Sequence, residues 1–165
     1  MSGVFGLVLI VMAALMQVAI LPAFNIFGAH PNLLIVALVL WITFGSQREA
    51  LLLVVAAGFV HGLLDAEHLG VTMLALSPLI LLSEVREQRL LQPDLLLAVT
   101  LTALATLAYE GILLLTLAIA RDSLGWLSSV LDVLVPAIIA NVLLLLPAYG
   151  LVRLVSPRLQ PRRAF

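Results

Sequence analysis

The stretch Gly58-Phe59-Val60-His61-Gly62-Leu63-Leu64-Asp65-Ala66-Glu67-His68-Leu69-Gly70 decides how this chain is read. It leaves an apolar run and ends in the most polar turn of the first half of the sequence. Gly58, His61, Gly62 and Asp65 recur at i, i+3, i+4 and i+7, the spacing of one helix face. Gly58 and Gly62 form a small-xxx-small pair, which lets a neighbouring helix backbone come close inside a membrane. Asp65 places a carboxylate at the end of that face. Taken alone, these residues favour packing glycines beside an acidic residue at a water boundary.

The rest of the chain puts that stretch in a bilayer. Of 165 residues, 64% are hydrophobic and 10% charged, with a mean hydropathy of +1.25. A soluble domain carries roughly 25% charged residues, so no soluble core hides this much apolar surface. At ~20 residues per crossing, the length allows six spans and no folded domain beside them. There is no cysteine, which excludes disulfides, thiol catalysis and thiolate metal sites. The first apolar run lacks a basic leader and a small-residue cleavage site, so it reads as a retained helix and not a removed signal peptide.

Six apolar runs follow in order. Residues 3–21 are uncharged; 22–31, with Pro22, Asn25, Gly28, His30 and Pro31, read as a loop. Residues 31–45 resume the pattern, with Trp41 where an interfacial aromatic would sit. Runs 50–64 and 69–83 have 15 uncharged residues each, short for a crossing unless Arg48 and Glu84 snorkel outward. Run 95–120 is interrupted by Glu110, and run 127–152 contains Asp132, Pro136, Asn141 and Pro147. The chain divides into one transmembrane domain, 1–153, and a basic tail, 154–165.

Arginine placement sets the expected orientation. Arg48, Arg86, Arg89, Arg153, Arg158, Arg162 and Arg163 follow even-numbered runs, and only Arg121 follows an odd one. This asymmetry predicts cytoplasmic N- and C-termini. It does not separate six crossings from four plus a re-entrant hairpin made of the two short runs. One repeat stands out: Pro31-Asn-Leu-Leu34 and Pro93-Asp-Leu-Leu96 open the second and fifth runs. An inverted repeat would place such motifs there, but Asn32 and Asp94 acting as helix caps is the simpler account.

Ionisable groups inside a bilayer cost roughly 2.5–3.5 kcal/mol each on insertion scales. Glu110 is the clearest such group, with Thr106 one turn before it. Pairing with His61 or Asn141, binding a proton or ligand, or a single hydrogen bond from a protonated carboxyl are all open readings. His61, Asp65 and His68 have no recognised metal spacing, so no metal and no cofactor is expected. Catalysis is not expected either. The serines of Phe44-Gly-Ser-Gln47 and Leu76-Ser-Pro78 do not form the nucleophile motif of a rhomboid protease. Gly62-Leu-Leu-Asp65 lacks the second glycine of an intramembrane aspartyl protease, and no phosphate-binding loop occurs. The arginines from Arg153 to Arg163 could meet anionic lipid or simply fix topology. The lipid bilayer is an expected partner and nucleic acid is not.

Pro31-Asn-Leu-Leu with Trp41, then Gly58, Phe59, Gly62, Leu63, Asp65 and Gly70, resemble the pattern of the rod-shape-determining protein MreD family. The likeness covers residues 30–80 in motif and the remainder in hydropathy. It implies a non-catalytic bacterial inner-membrane protein of the elongasome, the machine that synthesises peptidoglycan and maintains rod shape. The implied partners are MreC first, then RodA with its penicillin-binding protein, and MreB filaments on the cytoplasmic side. The implied fold is an all-α membrane protein of six transmembrane helices, similar to the substrate-binding subunits of energy-coupling-factor transporters. That likeness also supplies an alternative function, holding a vitamin-sized molecule near the outer loops. The resemblance makes Asp65 the anchor of the third-to-fourth turn. The residues carrying the structural and interaction expectations are Pro31, Asn32, Gly58, Phe59, His61, Gly62, Asp65, Gly70, Glu110 and Asn141.

Overall fold

The computed structural model describes residues 3–23, 28–64, 69–87, 94–121 and 126–155, and among these the chain is helical with no strand. The helices are α1 (Gly3–Ala19), α2 (Leu33–Phe44), α3 (Gln47–Leu64), α4 (Leu69–Leu76), α5 (Pro78–Glu87), α6 (Leu95–Arg121) and α7 (Trp126–Val155). A single 3-10 turn, Leu21–Ala23, follows α1. The six apolar runs of the sequence thus become six helical rods, with α4 and α5 forming one broken rod. Three helices contain stretches long and apolar enough to cross a membrane: Gln47–Leu64, Leu95–Ile119 and Asp132–Leu154.

The short third run gains its length by taking in Gln47, Arg48 and Glu49. Ser46 starts it as an N-cap, its hydroxyl accepting from the Glu49 N–H at 3.4 Å. The fourth run breaks at Ser77, because Pro78 has no N–H to offer the Leu74 carbonyl. That carbonyl instead accepts from the Ser77 backbone N–H at 3.1 Å and from its hydroxyl at 2.7 Å. Together 69–87 reach about 28 Å at 1.5 Å per residue, near the thickness of a hydrocarbon core.

The core is built around α2. Nine of its 12 residues are buried, covered by α1, α3, α5, α6 and α7. Leu34, Leu38 and Ile42 pack into the cluster shared with α1, α3 and α6. Val36 faces Ala98, Leu145 and Tyr149 on the other side. Outward faces are equally apolar, with Ile119 and Leu154 at 77% and 79% exposure, as suits helices facing lipid.

Trp41 corrects the expectation of an interfacial aromatic. It is 4% exposed and sits in the core. Two glycines make room for its indole. A β-carbon on Gly6 would lie 2.9 Å from the ring, and one on Gly45 would lie 2.7 Å from the ring and from the Trp41 carbonyl. Gly45 closes α2 through its N–H to that carbonyl at 2.6 Å.

Candidate functional site

At about 1.5 Å per residue, α2 is only about 18 Å long, well short of a ~30 Å hydrocarbon core. Its first turn therefore lies among the other helices, where N–H groups that lack intrahelical acceptors find no water. Three side-chain oxygens meet them. Asn141 of α7 accepts from the Asn32 N–H at 2.5 Å. Gln17 of α1 accepts from the Leu33 N–H at 2.7 Å and donates to the Pro31 carbonyl at 3.3 Å. Asn32 accepts from the Ile35 N–H at 3.1 Å, as an N-cap. The Asn141 amide nitrogen then donates to the Thr106 hydroxyl at 2.9 Å. Thr106 in turn donates to the Thr102 carbonyl at 2.8 Å. Asn141, Thr102 and Thr106 are fully buried and Asn32 nearly so. This clamp ties α1, α6 and α7 to the start of α2.

The capping expectation holds at Asn32; in the second motif copy Asp94 precedes α6, and its carboxylate accepts from the adjacent Leu95 N–H at 2.7 Å, one position short of a cap's usual N–H. Pro31 is buried beside Asn32. Asn141 belongs to the clamp, and Glu110 does not. Glu110 is half-buried on α6, and no hydrogen bond or ion pair joins it to His61 or Asn141 among the described residues.

The Gly58–Gly62 face packs within the chain. Both glycines are buried, and a β-carbon on Gly58 would lie 3.0 Å from the Met73 Cα of α4. The close backbone approach at Gly58 therefore joins α3 to α4. His61 is buried on α3, Phe59 points outward at 52% exposure, and Gly70 is exposed on α4. Asp65, with Glu67 and His68, lies outside the described residues. Among the described residues no three His, Asp or Glu side chains come together as a metal-binding group.

Sequence reasoning missed Gln17, Gly6 and Gly45, and set Thr106 beside Glu110, where the structure joins it to Asn141. Gln17 carried a signal, as the one strongly polar side chain in the first apolar run. Gly6 carried none, because a lone glycine in a membrane helix does not reveal its neighbour.

A second feature is a cleft of about 370 Å³ between α1 and α7, floored by α2. Met12, Met16, Val36, Leu40, Ala148 and Leu151 are among its lining residues, and every lining residue is apolar. Here the otherwise enclosed central helix is reached from outside the bundle.

An all-helical bundle with lipid-suited outer faces, buried amides linking its helices and a cleft opening beside the central helix defines an integral membrane protein. The sequence model of the family described as rod shape-determining protein MreD matches residues 1–155 of the 165-residue chain. The chain belongs to that family, a family of membrane proteins with a role in rod-shape determination. No curated protein and no solved structure matches it significantly.

Proposed function

We propose that this protein is a non-catalytic scaffold of the elongasome that crosses the inner membrane six times and binds the transmembrane helix of MreC. RodA, its penicillin-binding protein and MreB are the further partners of that assembly, which supports peptidoglycan synthesis. The cleft over α2 is the observation that carries this reading. It is apolar throughout and lies between α1 and α7 beside the enclosed α2, a place where side chains of one neighbouring helix could pack, as helices associate where lipid is as apolar as they are. The inner polar side chains support a scaffold role as well, since they are engaged in holding α2. The vitamin-binding alternative gains nothing from this cavity, because a small-molecule pocket needs a few polar groups to orient its ligand.

Filling the cleft tests the reading. Ala148→Trp is expected to reduce co-purification of MreC about tenfold, which corresponds to about 1.4 kcal/mol of lost association. Leu154→Trp, on a lipid-exposed position, is expected to leave it unchanged. Equal retention of MreC by both variants sinks the cleft as its seat.

The arginine asymmetry supports a cytoplasmic position for both termini. The 18 residues of α3 and the rod 69–87 support two full crossings over a re-entrant hairpin. Because the chain has no cysteine, Glu67→Cys gives a clean single label. A membrane-impermeant maleimide is expected to react with it on intact spheroplasts. Reaction only after permeabilisation would rule out the six-crossing arrangement.

A further inference from the structure

Glu110 is the one acidic residue well inside α6 between Leu95 and Arg121. It lies about 22 Å from the first end and about 16 Å from the second. The helix, at about 40 Å, exceeds a ~30 Å hydrocarbon core by about 10 Å, so either way of placing the excess leaves Glu110 inside the apolar layer. Its carboxyl has no hydrogen bond or ion pair among the described residues. Thr106, one turn away, gives its only hydroxyl hydrogen to the Thr102 carbonyl. Glu110 is half-buried at the edge of the outward stripe of α6, between fully buried Thr106 and the exposed Leu104 and Leu107, at 48% and 51%. Beside the carboxyl, a β-carbon on Gly111 would meet nothing within 4 Å, so an approaching backbone could come close there.

We infer that the outward stripe of α6 centred on Glu110 and Gly111 is a second docking seam, which receives a transmembrane helix of another protein carrying a basic side chain at that depth. This rests on the scaffold reading and adds a second partner surface to it, on a different helix from the cleft. Charge complementarity selects the occupant. An intramembrane carboxylate pairs with another polar group and does not face lipid alone. A second copy of this chain presents no cation there: it has no lysine, its His61 is buried within α3's own packing, and copies inserted in the same direction carry their arginines at the same depths. The nearest basic residue on α6, Arg121, is displaced by about 16 Å along the axis. The cation therefore comes from a different chain, with Gly111 letting that helix approach closely enough for the pair to form.

The probe is a polyleucine helix of about 23 residues with one central arginine, compared with its all-leucine counterpart. Energy transfer to the labelled full-length protein is measured in vesicles of phosphatidylethanolamine and phosphatidylglycerol. The arginine peptide is expected to associate about tenfold more tightly than the plain one. Glu110→Gln should lose most of that preference, Glu110→Leu all of it, and Gly111→Leu should weaken the arginine peptide's binding. Equal binding of the two peptides, or an arginine preference that persists in Glu110→Leu, overturns the seam. A change confined to self-association of the protein overturns it too, by making the stripe a contact between copies. MreC capture by the same variants separates the two readings: retained MreC with no arginine preference removes only the seam, while no MreC capture by the unaltered protein removes the scaffold reading.

Discussion

Replacing Asn141 with leucine is expected to lower the stability of the folded protein by about 2 kcal/mol. Asn141 is fully buried and makes two hydrogen bonds to other helices, accepting from the Asn32 N–H and donating to the Thr106 hydroxyl. Leucine fills similar space and makes neither bond. The larger loss is at Asn32, whose N–H stands at the start of a short helix and would be left without an acceptor away from water. Thr106→Val provides the comparison. It removes two side-chain bonds, the one accepted from the Asn141 amide and the one given to the Thr102 carbonyl, but leaves the Asn32 N–H served, so a smaller loss of about 1 kcal/mol is expected. Unfolding in mixed dodecyl maltoside and dodecyl sulfate micelles measures both. If Asn141→Leu costs no more than Thr106→Val, the clamp does not hold α2. Amide hydrogen exchange at Asn32 gives a local readout, and its protection should fall in Asn141→Leu.

Trp41→Ala should cost about 3 kcal/mol, the usual loss for emptying a buried tryptophan site. The indole lies between α1 and α2 above Gly6 and Gly45, with the Phe5 ring 6.4 Å away. Its ring nitrogen is buried and has no hydrogen-bond partner among the described residues. Trp41→Phe should therefore be much milder, since it keeps most of the ring contacts and removes a polar atom that is not satisfied. An interfacial anchor would behave differently: alanine would cost little, and the indole would be open to water. In a Trp126→Phe background, Trp41 fluorescence is expected to resist quenching by acrylamide, and ready quenching would contradict its buried position.

Several parts of the fold were legible because they depend on local chemistry. The six apolar runs map onto the six rods within a few residues at each end. Asn32 starts α2 because a short polar side chain bonds an N–H group that the first helical turn leaves open. The helix start at Ser46, in a stretch that reads as a polar turn, and the break before Pro78 have equally local causes but were not among the expectations. Family membership was legible too, in Pro31-Asn-Leu-Leu34 and in the glycines around His61.

The Gly58–Gly62 stretch shows where that legibility stops. The sequence determined that this face is smooth and that a helix backbone could approach it closely. Only the tertiary structure decided that the helix approaching Gly58 is the chain's own α4. The same division runs through the molecule. Nothing local distinguishes α1, which leaves Val4 at 73% and Phe5 at 52% exposure, from α2, which is enclosed. In water the two would differ, because an exposed face must be polar. In a bilayer the surroundings are as apolar as the core, so hydrophobic periodicity no longer tells inside from outside. Burial is then set by where small residues and hydrogen-bonding side chains meet across helices, as Gly6 meets Trp41 and Asn141 meets Asn32 from 109 residues away. Such meetings depend on the whole chain being folded, and no local stretch of it encodes them.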